Sequence, residues 1–246
     1  MVIISQYWYG RLGNNIIQLS NIIDIALFYK HDIEFKEKHK FFNLKIIESY
    51  FYKYKNDKIL KNNFNFHNNE NFIIPSHVIK ENYKVKINLM KQAFIIKDHE
   101  INKLNENDIV IHIRSGDIFT EKKPHPMYIP PPLAYYVNIL NKKTYKKIII
   151  VCEDDINPVV NKLLELYKNA VHSKNTLNED IKLILGGTNI ISSVGTFVNS
   201  LLMFSNNVKN HYEIKNYHNE LKEYYLLIKR WNNSKQQNNY ILSYKI

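Results

Sequence analysis

The chain has 246 residues, of which 45% are hydrophobic, 13% aromatic and 23% charged. That is a globular composition, with length for one large or two small domains, and it excludes a disordered chain, a collagen and a disulfide scaffold. Lysine and arginine outnumber acidic residues by 34 to 23, giving a net charge of +11, but the lysines are scattered with no basic run of five or more, and such a charge without a motif points to no nucleic-acid partner.

In chain order, residues 1–9 carry no positive leader region and only a short apolar run at 2–4, so neither a signal peptide nor a membrane span is expected. With one cysteine, Cys152, a soluble cytoplasmic protein is the expectation. Residues 2–5 read as a short buried strand. The turn Gly10-Arg11-Leu12-Gly13 follows, and then apolar residues at 12, 16, 19, 23, 26 and 27 step as a helix does. A strand is expected at 33–35, a helix over 44–54, an Asn-rich loop over 55–70 and a helix over 87–104.

From Asp108 the pattern sharpens. Ile109-Val110-Ile111-His112-Ile113 is the apolar run of a parallel strand buried on both faces, and 148–152 is a second. Three prolines, 130–132, precede a helix with apolar positions 133, 136, 137 and 140. Asn157-Pro158 opens another helix, through 167, and 170–172 reads as a strand. Thr176-Leu177-Asn178-Glu179 is a capping box for a helix to about 185, with Gly186-Gly187 as its C-cap. A strand at 189–192, a helix at 196–204, a strand at 208–212 and a long aromatic-striped helix at 217–231 complete the chain. Strands alternating with helices predict an α/β fold built on parallel sheets, with ligands at the carboxyl ends of the strands. Two Rossmann-like domains facing a cleft are expected, 1–105 and 106–246.

Scarce residue types mark the candidate chemistry. Only Arg11, Arg114 and Arg230 are arginines, and there are six glycines where about 7% would be usual. In a lysine-rich chain a retained arginine points to a planar, bidentate contact that lysine cannot make.

Four motifs sit where predicted strands end. In Gly10-Arg11-Leu12-Gly13-Asn14-Asn15, two glycines let backbone N–H groups approach a ligand at a helix N-terminus, or else form an ordinary turn with Asn14 as N-cap. The segment lacks both the third glycine of a dinucleotide fingerprint and the lysine of a P-loop. In His112-Ile113-Arg114-Ser115-Gly116-Asp117, His112 and Arg114 share a face of the strand. A guanidinium at that point calls for an anion, unless it is a structural ion pair with Asp117, and His112 is otherwise a hydrogen-bonded core residue. In Cys152-Glu153-Asp154-Asp155 the carboxylates can hold a metal, a nucleobase or sugar hydroxyls, with Asp155 alternatively an N-cap. In Ser192-Ser193-Val194-Gly195-Thr196-Phe197, hydroxyls and free N–H groups form a phosphate nest or cap a helix.

The order of these motifs resembles the GDP-fucose-dependent fucosyltransferases, of the α-1,2 and related α-1,6 and protein O-fucosyl types, and most closely the α-1,2 family. The resemblance rests chiefly on Gly10 to Asn14 and on His112 to Asp117. It implies a GT-B-like α/β fold, an N-terminal acceptor side, a C-terminal donor side and an inverting transfer of fucose, or a similar deoxyhexose, from GDP-sugar to a hydroxyl of an acceptor glycan, without metal or other cofactor. Arg114 would then contact the diphosphate, with Arg11, Gly13, Asn14 and His112 lining the donor cleft. Asp154 or Asp155 would hold guanine or ribose, and Ser193, Gly195, Thr196 and Phe197 the phosphate region. Asp117, with His125 behind it, is the candidate base. Where the family carries a second arginine this chain has Ser115, and a Trp-rich continuation is replaced by Val198-Asn199-Ser200. The rival expectations are a transferase using another nucleotide sugar, a metal-dependent one working through Glu153, Asp154 and Asp155, and a basic nucleic-acid-binding protein.

Overall fold

The computed structural model describes residues 2–54, 59–60, 74–122, 128–214 and 231–243. The chain divides into two compact units, Met1–Glu100 with Asn199–Phe204, and Ile101–Val198 with Ser205–Ile246.

The first unit carries a three-stranded parallel sheet in the order β2-β1-β3, from β1 (Val2–Ser5), β2 (Asp32–Phe35) and β3 (Ile59–Leu60). Helix α1 (Leu12–Tyr29) connects β1 to β2, and α2 (Leu44–Phe51) follows β2 and runs into a single 3-10 turn. The spacing of the apolar residues explains α1. Ile16, Leu19, Ile22, Ile23, Ala26 and Leu27 all lie buried, and fully burying an aliphatic side chain contributes about 1.5–3 kcal/mol. Helix α3 (Ser76–Ala93) lies eleven residues earlier than the 87–104 expectation. Of its side chains only Lys86, Leu89, Met90 and Ala93 are buried, so its first half shows no apolar stripe to read, while Phe94 and Ile96 find burial in an irregular segment beyond it.

The second unit holds a five-stranded, all-parallel sheet, β6-β5-β4-β7-β8. Its strands are β4 (Asp108–His112), β5 (Lys147–Val151), β6 (Ala170–His172), β7 (Asn189–Ile191) and β8 (Asn210–Tyr212). Ile109 and Ile111 of β4 face Ile148 and Ile150 on one side and Asn189 and Ile191 on the other, which explains the unbroken apolar run. Helices α4 (Asp117–Thr120) and α5 (Leu133–Leu140), α6 (Pro158–Leu166) and α7 (Leu177–Gly186) make the connections up to β7, and α8 (Phe197–Leu201), between β7 and β8, passes at Asn199 into the segment assigned to the first unit. Both sheets are thus the parallel α/β sheets that the alternation predicts.

Start signals of the helices are satisfied locally. Thr176 and Glu179 form the capping box of α7, and the Asn157 side chain accepts the Val159 N–H at the start of α6, so Asn157 and not Asp155 is that helix's cap. Gly186 and Gly187 do not end α7 through a left-handed residue. Gly187 has φ −73°, and the space is taken instead, since a Cβ on Gly186 would meet the Asn102 carbonyl oxygen at 2.3 Å. A helix not foreseen, α9 (Lys235–Ile241), begins with a Ser234–Gln237 capping box and packs back through Tyr240, whose hydroxyl donates to the Pro130 carbonyl. The expected 217–231 helix lies outside the described residues except for Trp231, whose ring meets Phe119 edge-on. Most of the expected 55–70 loop also lies outside them. No helix among the described residues is long and apolar enough to cross a membrane.

Candidate functional site

Strand order fixes where a ligand can enter the second unit. From β4 the chain runs outward through β5 to β6, then returns to β7 on the other side of β4 and continues to β8. The connections leaving β4 and β7 therefore diverge, and the carboxyl ends of these two strands mark the topological switch point of the sheet. Two of the four motifs, His112 to Asp117 and Ser192 to Phe197, follow those two strands.

They meet there. The Arg114 guanidinium donates from Nη2 to Asp117 Oδ2 at 2.7 Å, lies over the Tyr128 ring at 4.1 Å, and presses Nη1 against Gly195, where a Cβ would come within 2.7 Å of it. Gly195 holds φ +106°, a region L-residues avoid. The structural ion pair with Asp117 is thus present, and the Arg114 side chain is only 15% exposed. It does not use all the donors: Arg114 Nε is buried without a partner. An unpaired buried donor is costly, of the order of 1–3 kcal/mol.

The backbone beneath the guanidinium is held by a network linking the ends of β4 and β5. The Asn157 amide donates to the Arg114 carbonyl at 3.0 Å, and Asn157 N donates to Ser115 Oγ at 3.2 Å. Ser115, fully buried, donates in turn to Asp154, whose Oδ1 also accepts the Ile156 N–H. The Ser115 hydroxyl thus braces the backbone at Arg114 and offers no charge of its own. Gly116 has φ +58°, and the Glu153 carboxylate occupies the space where its Cβ would be.

The remaining predicted residues are placed as follows. His112 packs against Phe197 with ring centroids 5.4 Å apart. Its Nδ1 is buried without a partner, and burial, then the Arg114 charge, push its pKa down to about 4, leaving a neutral imidazole beside the guanidinium. Thr196 is half-buried in the turn. Ser193 is turned into the core beside the Tyr136 hydroxyl. Asp155 is pulled to the sheet edge, where its carboxylate meets His172 Nδ1 and Lys174 Nζ, each at 2.9 Å. The Lys174 hydrogen bond leads the effects that lower its pKa. Asp154 and Asp155 thus face different partners, and among the described residues no group of three or more His, Cys, Asp or Glu is placed to hold a metal ion. Cys152 is a buried thiol whose pKa burial raises to about 12. His125 lies outside the described residues.

Arg11, Gly13 and Asn14 belong to the first unit, at the start of α1. The helix begins at Leu12 with Arg11 in the cap position and no side-chain cap, so Asn14 sits within the first turn. Its amide closes over Gly10, whose φ is +68° and where a Cβ would come within 2.4 Å of Asn14 Nδ2.

No protein-family model matches the chain. No curated protein matches it either. Among solved structures, a crystal structure of NodZ α-1,6-fucosyltransferase soaked with GDP-fucose overlaps 83% of this chain and 92% of its own, with 8% sequence identity and a TM-score of 0.42. An overlap at that level identifies neither activity nor substrate.

Two residues that contact Arg114 are not singled out by the sequence for that role. Asn157 was legible only as a helix start, and its second bond, to Arg114, joins residues 43 apart in the chain. Tyr128, which carries the guanidinium on its ring, has no local signal at all.

Proposed function

We propose that the chain is a glycosyltransferase, taking a fucosyl or similar deoxyhexosyl group from a nucleoside diphosphate, GDP in the first instance, to a hydroxyl of an acceptor glycan. The observation that carries this reading is the convergence of Arg114 and the Gly195 turn at the switch point between β4 and β7. A diphosphate leaving group needs donors fixed in advance where negative charge grows. Arg114 Nε is an unsatisfied donor, and its carbon frame is immobilised by Tyr128, Asp117 and the Asn157 bond.

In the proposed reaction the acceptor oxygen forms its bond to the anomeric carbon as the bond from that carbon to the diphosphate oxygen breaks. The configuration inverts, the bonding pair leaves with the diphosphate, and the acceptor proton passes to a base. Arg114 stabilises the departing charge, and the reading calls on no metal. The ion pair gives Asp117 a first duty of orienting the guanidinium. It also cancels local positive charge, so the affinity for the anion comes from directed N–H groups more than from net charge. Linkage to the 2-position is the finer expectation that the family resemblance adds.

The test is a melting-shift series with GDP-, UDP- and dTDP-sugars on the wild type and on Arg114→Lys. A GDP-sugar is expected to raise the melting temperature, since a ligand that binds only the folded state stabilises it. Arg114→Lys should weaken that binding by about 10- to 150-fold, the loss of one charge-assisted hydrogen bond of roughly 1.5–3 kcal/mol. A shift with UDP- or dTDP-sugars instead reassigns the donor, and equal shifts in wild type and variant remove Arg114 from the site.

A further inference from the structure

The Tyr128 ring, 4.1 Å from the guanidinium carbon of Arg114, sits in a strap of irregular backbone, 128–132, that leads into α5. Three of its five residues are Pro130, Pro131 and Pro132, and proline has no N–H to give to a hydrogen bond. The prolines can therefore be tied down only through their carbonyls and rings. Beyond them α5 is anchored to the sheet by Tyr135, whose hydroxyl donates to the Ser192 carbonyl at 3.0 Å. The part that still needs holding is the strap itself.

That hold comes from α9 and its flanks. The Tyr240 hydroxyl donates to the Pro130 carbonyl at 3.0 Å, and the Ala134 N–H, just past the last proline, donates to the Ser243 carbonyl at 2.9 Å. The rings of the helix are fixed in turn, since Tyr240 and Ile241 are buried in the same core cluster as Ile129 and Leu133. Phenylalanine would fill the same volume, and what a hydroxyl adds at this buried position is a hydrogen bond to the strap. The segment also reaches the other flank of Arg114. Trp231 meets Phe119 edge-on with centroids 4.9 Å apart, and Phe119 belongs to α4, which starts at Asp117, the ion-pair partner of Arg114. Residues 231–243 thus touch both elements from which the guanidinium is held.

We infer that Tyr240 is a positioning residue for Arg114: by fixing the proline strap it sets the Tyr128 ring, and through that ring the direction of the guanidinium, while Trp231 acts on Asp117 through Phe119. Arginine makes its bonds through a planar fork whose direction decides what it can grip, so a small loss of direction weakens the grip and leaves the fold in place. The clamp is a property of the second unit by itself, whereas its consequence for a bound diphosphate rests on the transferase reading above.

The test follows the Arg114 Nε–H signal by heteronuclear NMR in the ligand-free protein, identified as the signal that Arg114→Lys removes, in the wild type, Tyr240→Phe, Trp231→Leu and Ile184→Val. Ile184 is fully buried in α7, outside the core cluster that Tyr240 joins, and controls for lost stability alone. GDP affinity and melting temperature are measured on the same samples. Tyr240→Phe is expected to shift or broaden the Arg114 signal and to weaken GDP binding by about three- to tenfold, the net worth of one hydrogen bond. Trp231→Leu should act in the same direction, and it carries the test alone if Tyr240→Phe does not fold. Ile184→Val should lower the melting temperature and leave both the signal and the affinity where they were. An Arg114 signal that neither Tyr240→Phe nor Trp231→Leu moves, or that Ile184→Val moves as far, overturns the positioning role, and so does a moved signal with GDP affinity unchanged. If the signal moves as expected but GDP binds not even the wild type, the clamp stands and the transferase reading falls.

Discussion

Gly195→Ala concentrates the physics of the candidate site in one methyl group. The backbone there holds φ +106°, and forcing an alanine into so sparsely populated a region costs about 1–3 kcal/mol. The new Cβ would also lie 2.7 Å from Arg114 Nη1, so the guanidinium must shift. A free side chain would yield at no expense, but this one is bonded to Asp117 and seated on Tyr128. Displacing it weakens a charge-assisted bond, discounted to about 1–2 kcal/mol because Asp117 is 30% exposed. The sum, about 2–5 kcal/mol, corresponds to a fall in melting temperature of about 4–20 °C at this chain length. In an Arg114→Ala background the collision disappears and only the backbone strain remains, so the same glycine substitution should cost about 1–2 kcal/mol less. Urea denaturation of the wild type, both single variants and the double variant measures that coupling. If the two substitutions add to within about 0.5 kcal/mol, the guanidinium does not rest on the Gly195 turn, and the convergence argued for the switch point fails with it.

A buried ion pair and a buried carboxyl elsewhere in the chain give independent tests. Lys86 of α3 donates to Asp24 of α1 at 2.6 Å with both side chains about 95% buried, at 6% and 5% exposure, and burial still holds the Asp24 pKa above its ordinary value. Lys86→Met should therefore destabilise by about 3–5 kcal/mol, whereas Lys86→Met with Asp24→Leu should return close to wild-type stability. Equal urea midpoints for the single and double variants would contradict this. Burial lifts the Asp180 carboxyl from 3.8 to about 6, so between those values the folded chain keeps a proton that the unfolded chain has released. That contribution is present in full below about pH 4 and is lost as the pH rises through about 6. Asp180→Asn should flatten stability over this window, by at most about 3 kcal/mol, and an unchanged slope of urea midpoint against pH would show that the carboxyl titrates normally.

The sequence discloses those elements whose residues are dictated locally. The strands around Ile109 and Ile148 are legible because burial on both faces demands aliphatic side chains throughout, and α7 because its capping box is written in four consecutive residues. Helix α3 is misplaced because one short stripe, Leu89, Met90 and Ala93, faces the core while the turns before it lie exposed. In the candidate site, Arg114 and Gly195 stand out by scarcity of type, and Asp117 by its place in the motif beside Arg114. Their supports do not, since Asn157, Tyr128 and Ser115 are common residues whose roles arise only when strands distant in sequence become neighbours. Asp155 shows the reverse case. Its motif invites a ligand role, but the adjoining edge strand supplies His172 and the turn after it Lys174, and these take both carboxylate oxygens.

The short excursion of Asn199–Phe204 into the first unit has a consequence for dissecting the chain. Phe204 stacks on Phe94 at 4.5 Å with planes 12° apart and also meets Phe42, so a fragment ending at residue 100 would lose an aromatic wall that arrives from a hundred residues downstream. The two units are therefore interleaved along the polypeptide. A cleanly separable N-terminal piece requires either grafting the 199–204 segment back on or replacing the exposed phenylalanine faces with polar residues, and a simple truncation should yield a sticky, self-associating product.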